Sequence, residues 1–335
     1  IMIIHENINI QNSIGINSVA RYLIDISSKD DFAELSLFLK NINMRYMILG
    51  EGTNIIPPDF FDGVIIKPNF NSIKMDESEN ILRVGSAYNW HELVKFCLKR
   101  NINGFENLSL IPGSVGASPI QNIGAYGADV SYLIKSIEGF DLDAKKLVSI
   151  SNKDCNFSYR NSSLKNSSIL IYSINFICDH PEYINYNYAS IKEHIASNHL
   201  DIDALSSSII SKIICNIRSK VLPNHELIHN AGSFFKNPIV SEDLISFSHF
   251  SREELIIWLQ GDGLIKVGAA RLIELIKDKL IPSANVSISD THNLVLITNG
   301  KATQHEVLEF SGQIQSLVKD FFNLDLEIEP TVIEA

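Results

Sequence analysis

Five short segments carry residue types at spacings that can do chemistry. The first is Leu49-Gly50-Glu51-Gly52-Thr53-Asn54. Two glycines free its backbone, so exposed amides can form a concave nest for an anion. It is neither a G-x-G-x-x-G nor a Walker A loop, because position 55 is Ile and no G-K-[ST] follows. A tight turn between strands explains it equally well. The second runs Ile111-Pro112-Gly113-Ser114-Val115-Gly116-Ala117-Ser118-Pro119-Ile120-Gln121-Asn122-Ile123-Gly124-Ala125-Tyr126-Gly127. Its small residues let main chain lie against a flat or charged ligand. Gln121 and Asn122 add amides, and Tyr126 adds a ring and a hydroxyl. A dinucleotide pyrophosphate needs this mixture, and so long an apolar loop is uncommon without a function.

The other three are weaker one by one. In Cys155-Asn156-Phe157-Ser158-Tyr159-Arg160-Asn161-Ser162, the Arg160 guanidinium can clamp a carboxylate or phosphate, or form a surface ion pair. In Asn230-Ala231-Gly232-Ser233-Phe234-Phe235-Lys236-Asn237-Pro238 no G-x-S-x-G elbow surrounds Ser233, which reads against a hydrolase. A hydroxyl in an apolar setting beside Lys236 can hand a proton to a reacting carbon, or simply cap a turn. In Leu326-Glu327-Ile328-Glu329-Pro330 the alternation predicts a strand with both carboxylates on one face. One would serve as an acid, or both would be solvated.

The elements that position these segments follow from hydrophobic periodicity. Strands are expected at 18–27, 45–49, 64–67, 81–84, 134–140, 169–177, 293–298 and near 324–329. Helices are expected at 30–41, 90–99, 206–220, 268–279 and 303–321. The polar stretch 179–187, with Pro181, reads as a break, and a domain boundary is placed at 180–210. Strands alternating with helices argue for α/β or α+β.

Composition narrows the class. The chain has 335 residues, which suggests about two domains. Hydrophobic residues make up 45% and charged residues 20%, an ordinary globular profile. Its 28 basic and 39 acidic residues give a net charge of −11, which disfavours a dedicated nucleic-acid binder. No apolar run reaches the roughly 18 residues of a membrane helix. The start of the chain lacks the basic region and cleavage site of a signal peptide. Cys97, Cys155, Cys178 and Cys215 show no metal spacing and read as reduced thiols of a cytoplasmic protein.

Taken in order, L-G-E-G-T-N, I-P-G-S-V-G-A-S-P-I-Q-N-I-G-A-Y-G, F-S-Y-R-N-S, N-A-G-S-F-F-K-N-P and L-E-I-E resemble the UDP-N-acetylenolpyruvoylglucosamine reductases. The resemblance runs from about Ser18 to Glu329. The second and fourth segments are the most specific. The first is shared with the wider flavoproteins that have a vanillyl-alcohol-oxidase-like FAD domain.

The resemblance implies an α+β fold built of α/β-type subdomains. It implies a two-part FAD-binding domain at 1–67 and 68–205, a substrate-binding domain at 206–320, and a C-terminal strand at 321–335 returning to the active site. FAD would lie along Gly50, Glu51, Gly52, Thr53 and Asn54. It would also lie along Ile111, Pro112, Gly113, Ser114, Gly116, Ala117, Ser118, Gln121, Asn122, Gly124, Ala125, Tyr126 and Gly127. NADPH would be the hydride donor and an enolpyruvyl UDP-sugar the acceptor, in cell-wall precursor synthesis. Ser233 would protonate C2, while Arg160 and Glu329 would stabilise the enol-like intermediate. Tyr188, Lys236 and Asn237 would bind substrate. No metal, nucleic acid or membrane is implied, and the expected state is a cytoplasmic monomer.

This chain departs from the family pattern in places. In Arg218-Ser219-Lys220-Val221-Leu222-Pro223, Val221 stands where the family has Lys. The segment 269–282 is altered, and Pro330-Thr331 follows Glu329; a shifted register would put Thr331 at the acid position. Two alternatives remain at this stage. One is an FAD-linked oxidase of another substrate, disfavoured because no His or Cys for covalent flavin attachment lies in either loop. The other is an FAD-binding paralogue without turnover.

Overall fold

The computed structural model describes residues 2–178 and 184–335, so positions 179–183 of the expected break lie outside the described residues. Among the described residues six α-helices form: α1 (Asp31–Ile42), α2 (Trp90–Lys99), α3 (Ala189–Ser197), α4 (Ser207–Val221), α5 (Ala269–Ile276) and α6 (Gln304–Phe322). The chain divides into two compact units. One comprises Ile1–Ile8, Ala20–Glu51 and Asp62–Ser219; the other comprises Asn9–Val19, Gly52–Phe61 and Lys220–Ala335.

Among the described residues the first unit carries two larger sheets and a two-stranded pair, Gly124–Ala125 with Ala128–Asp129. One has four strands in the order Ile3–Asn9, Val19–Ile26, Phe60–Pro68, Tyr46–Ile48, with Tyr46–Ile48 parallel to its neighbour. The other has five antiparallel strands in the order Lys146–Ser151, Ile134–Asp141, Ile169–Ile177, Ile81–Gly85, Ile73–Asp76. The central Ile169–Ile177 strand is apolar at almost every position, as a strand covered on both faces must be. Helix α2 packs Trp90, Leu93, Val94 and Cys97 on one stripe, at spacings of three and four. Asn89 caps its N-terminus by accepting from Glu92 N at 3.1 Å. Trp90, Phe105 and Phe176 then meet as an aromatic cluster beneath the Gly-rich loop.

The second unit is built around α5 and α6. Its core gathers Phe234, Phe235, Leu272, Ile273, Ile276, Phe310, Ile314 and Phe322. Ile14, Ile16 and Ile56 join it from far earlier in the chain. Helix α6 opens on a Thr303–Glu306 capping box and closes at left-handed Asn323. Three small sheets surround the helices. They are Asn230–Ser233 with Val295–Thr298 and Val286–Ile288; Ile239–Ser241 with Leu264–Val267 and Ile257–Gly261; and Ile55–Ile56 parallel to Thr331–Val332.

The expected terminal strand at 324–329 is corrected. Leu324 and Leu326 are buried while Asp325 and Glu327 are exposed, so the alternation is real. That segment makes only one ladder bridge, Ile328 to Phe235. The regular pairing comes later, at Thr331↔Ile55 and Val332↔Ile56. All four cysteines are free. Among the described residues no helix is long and apolar enough to cross a membrane.

Candidate active site

In the first unit the Gly-rich stretch is stitched to the turn that opens α2. Trp90 N donates to Gly113 O at 3.0 Å, Val115 N to Tyr88 O at 2.8 Å and Gly116 N to Ser86 O at 2.8 Å. Such pairing requires close backbone approach. A Cβ on Gly116 would stand 2.6 Å from Ser86 Cβ, and one on Gly50 would stand 2.7 Å from Ser114 Oγ. The first and second sequence segments therefore meet, at Gly50 and Ser114. Ser86 Oγ is buried with no partner among the described residues. An orphaned hydroxyl beside a strip of side-chain-free backbone fits a bound cofactor that completes its hydrogen bonding.

Several polar groups of this loop hold its own shape. Ser118 Oγ donates to Val115 O at 2.8 Å. Asn122 donates to Ser158 O at 3.2 Å and accepts from Ser131 N at 3.1 Å. Gly52 and Thr53 belong to the second unit, where Ser13 donates to both carbonyls, from N at 3.0 Å and from Oγ at 3.2 Å.

Arg160 sits on a tight turn closed by reciprocal Ser158–Asn161 backbone bonds of 3.0 and 3.2 Å. Its φ is +53°, a left-handed conformation rare for a long side chain and costly unless the surroundings impose it. The surroundings do so: Ser162 Oγ donates to Ile120 O at 2.8 Å, and the Arg160 guanidinium itself donates to Gly124 O at 2.9 Å. The turn thereby aims a cation at the Gly124–Gly127 edge of the loop.

A second guanidinium reaches the same edge. Arg218, near the end of α4, hydrogen-bonds the Tyr126 hydroxyl and feels the positive charge of Arg160. Its Nε is buried without a partner among the described residues. Burial holds the Arg218 pKa below its ordinary value, with Arg160 adding to the effect and Tyr126 opposing it. Burial likewise raises the Tyr126 pKa, against the pull of Arg218. Two like charges with an incompletely satisfied donor favour an anion between them. Tyr188 packs edge-on against Tyr126, ring centroids 5.2 Å apart, and keeps 44% of its surface exposed.

In the second unit the fourth segment forms a bulged strand. Asn230 pairs with Ile297 and Ser233 with Val295, so an extra residue intervenes. Gly232 takes up the irregularity at φ +73°, and no atom lies within 4 Å of where its Cβ would be. Phe234 and Phe235 are buried in the core, which fixes Ser233 just before them. Glu329 N donates to Phe234 O at 2.9 Å, so the terminal segment runs directly beside Ser233–Phe234. Thr331 instead lies two residues on, paired with Ile55. Lys236, only 12% exposed in its side chain, forms an ion pair with Glu327. Asn237 Oδ1 accepts from Ala269 N at 2.9 Å and caps α5 from outside the helix.

A profile for the C-terminal domain of UDP-N-acetylenolpyruvoylglucosamine reductase matches residues 222–333, and one for an FAD binding domain matches residues 20–142. A UDP-N-acetylenolpyruvoylglucosamine reductase of Amoebophilus asiaticus is 35% identical over 344 residues, covering 99% of this chain and 100% of the relative. One from Xanthomonas campestris pv. campestris is 31% identical over 340 residues, covering 100% and 97%. The chain belongs to the UDP-N-acetylenolpyruvoylglucosamine reductase family. The crystal structure of the Thermus caldophilus UDP-N-acetylenolpyruvylglucosamine reductase covers the whole chain with a TM-score of 0.69 at 19% identity, a likeness of fold.

As a member of the UDP-N-acetylenolpyruvoylglucosamine reductase family, this chain is a flavin-dependent oxidoreductase with an α+β fold. Its FAD-binding profile covers both Gly50 and the Ile111–Gly127 loop. Val221, at the family's lysine position, is the last residue of α4, and Lys220 beside it is exposed. Sequence reasoning gave Arg218 no role. The signal was available: Arg218 follows Ile214 by four residues, and Ile210 and Ile214 mark the buried face of α4.

Proposed function

We infer that this chain catalyses the NADPH-dependent reduction of UDP-N-acetylglucosamine enolpyruvate to UDP-N-acetylmuramate, a step in peptidoglycan precursor synthesis. The observation that carries the reading is the Glu329 N to Phe234 O bond, which sets the terminal carboxylate segment beside Ser233. The backbone around Gly50 and Ser114–Gly116, beside Ser86, would hold FAD, which would supply the two-electron hydride chemistry linking NADPH to the enolpyruvyl C3.

Adding hydride to C3 pushes negative charge onto C2 and its carboxylate. Arg160 meets that charge as a cation already fixed by its turn, so no reorganisation is needed during reaction. Ser233 gives its hydroxyl proton to C2, completing the reduction, and regains a proton from solvent. Glu329, whose backbone pairs with Phe234 next to Ser233, would polarise that exchange and orient the intermediate. Arg218 and Tyr126 offer a second anion site, and Tyr188 covers the substrate diphosphate. Lys236, oriented by Glu327, and the amide nitrogen of Asn237, whose oxygen is held by Ala269 N, complete substrate binding. The preference for Glu329 over Thr331 is supported by Thr331's engagement with Ile55. The carboxylate Glu327 is then structural, being tied to Lys236.

The enzyme is proposed to act as a cytoplasmic monomer, where NADPH and UDP-sugars are supplied. Anaerobic addition of NADPH followed by the enolpyruvyl UDP-sugar tests the reading. Loss and then return of the flavin's visible absorbance supports it. Loss without return would favour a paralogue with another substrate or no turnover.

A further inference from the structure

One buried asparagine outside the site ties together two segments that the proposed chemistry uses. Asn107 lies in the 3-10 turn Glu106–Leu108 and is 2% exposed. Its side-chain nitrogen donates to Tyr126 O and to Asn185 O, both at 2.9 Å. The Asn185 side chain returns a bond to Gly127 O at 3.1 Å. The two amides therefore join the 126–127 turn to the segment that leads into α3.

Each end of this clamp is itself fixed. The 3-10 turn is held by the Trp90 indole, which donates to Leu108 O at 2.9 Å, and by the Glu106 carboxyl, which accepts from Gly104 N at 2.8 Å. On the other side, Asn187 N donates to Asn185 Oδ1 at 3.3 Å, shaping the turn that delivers Tyr188 to the N-terminus of α3. Tyr126 and Gly127 are both left-handed, at φ +50° and +79°. An unusual backbone there persists only if contacts over-determine it, and the clamp supplies them. The result is that the Tyr188 ring stands against Tyr126, whose hydroxyl is bonded to Arg218.

We propose that Asn107 and Asn185 are positioning residues for substrate binding, setting the place of Tyr188 over the Tyr126–Arg218 anion site. This rests on the reading of Tyr188 as a substrate-binding residue. Neither asparagine touches the reacting atoms, so their effect falls on affinity and not on turnover. Removal of one such hydrogen bond corresponds to about a tenfold change in an equilibrium constant.

The test is a double-mutant cycle of Asn185→Ala and Tyr188→Ala in the FAD-loaded enzyme. Binding of the enolpyruvyl UDP-sugar is measured by calorimetry, and KM and kcat are measured separately. Asn185→Ala is expected to raise Kd and KM about tenfold, with kcat per bound FAD unchanged. In the Tyr188→Ala background the same substitution is expected to add nothing. Asn107→Leu, if it folds, is expected to match Asn185→Ala. Unchanged Kd in Asn185→Ala, a loss confined to kcat, or independent addition of the two effects would overturn the proposal. If Tyr188→Ala alone leaves Kd unchanged, the reading of Tyr188 falls and the clamp falls with it, a result distinguishable from a failed clamp over a working Tyr188.

Discussion

In the proposed chemistry Ser233 and Arg160 act on different moments of one reaction, and their substitutions should separate. Ser233→Ala removes only the proposed proton donor. Flavin reduction by NADPH should keep its rate, while the half-reaction with the enolpyruvyl substrate slows by about 10²–10⁴-fold, the usual worth of a positioned general acid. Equal loss in both half-reactions, read by anaerobic rapid mixing, would contradict the assignment. Arg160→Met removes the fixed cation and should cost about 10²–10³-fold in kcat for the substrate half-reaction. At this scale Ser233 and Arg160 stand out in the sequence as candidates because short motifs surround them. Arg218 was not, because its meaning depends on Tyr126, which lies 92 positions earlier in the chain and reaches it only through folding.

Elements set these residues by close backbone contact, so small changes in them should be felt. Gly116→Ala drives a Cβ to 2.6 Å from Ser86 Cβ. Overpacking of this kind costs about 1–3 kcal/mol. The variant should melt earlier and retain less FAD, as read from its absorbance ratio. In the 3-10 turn Glu106–Leu108, burial raises the pKa of Glu106 while bonds from Gly104 and Ser207 oppose the shift. A carboxyl with a raised folded pKa favours folding fully below its unfolded pKa. That contribution is lost as pH rises through the folded value. Glu106→Gln keeps an acceptor and cannot ionise. Its stability relative to the unsubstituted chain should therefore grow from acidic to neutral pH in denaturant titrations.

Much of this scale was readable from periodicity. The stripe Trp90, Leu93, Val94, Cys97 foretold α2, and the largely apolar run foretold the Ile169–Ile177 strand. The three-stranded sheet Ile239–Ser241, Leu264–Val267, Ile257–Gly261 escaped, since exposed Trp258, Leu259 and Leu264 blur the alternation. The terminal strand was placed too early because side-chain alternation at 324–327 precedes the backbone pairing, and its partner Ile55–Ile56 is invisible to any local window.

For the whole molecule, contiguous boundaries at 67, 205 and 320 could not reveal that Asn9–Val19 and Gly52–Phe61 pack with the C-terminal half. Ile14 and Ile56 enter that core by long-range packing, which carries no sequence signature. FAD binding should stabilise the folded chain by linkage, about 2.7 kcal/mol at a hundredfold excess over Kd. Stripping FAD should accordingly lower the melting temperature by several degrees, and adding it back should restore the difference.

The central claim is that one polypeptide carries both half-reactions. Anaerobic stopped-flow tests it most directly, with NADPH mixed first and UDP-N-acetylglucosamine enolpyruvate second. The expected result is rapid loss of the flavin's visible absorbance, then rapid recovery on the second addition, with UDP-N-acetylmuramate formed in equal amount. Loss without recovery, or a purified protein that takes up no FAD, would contradict it.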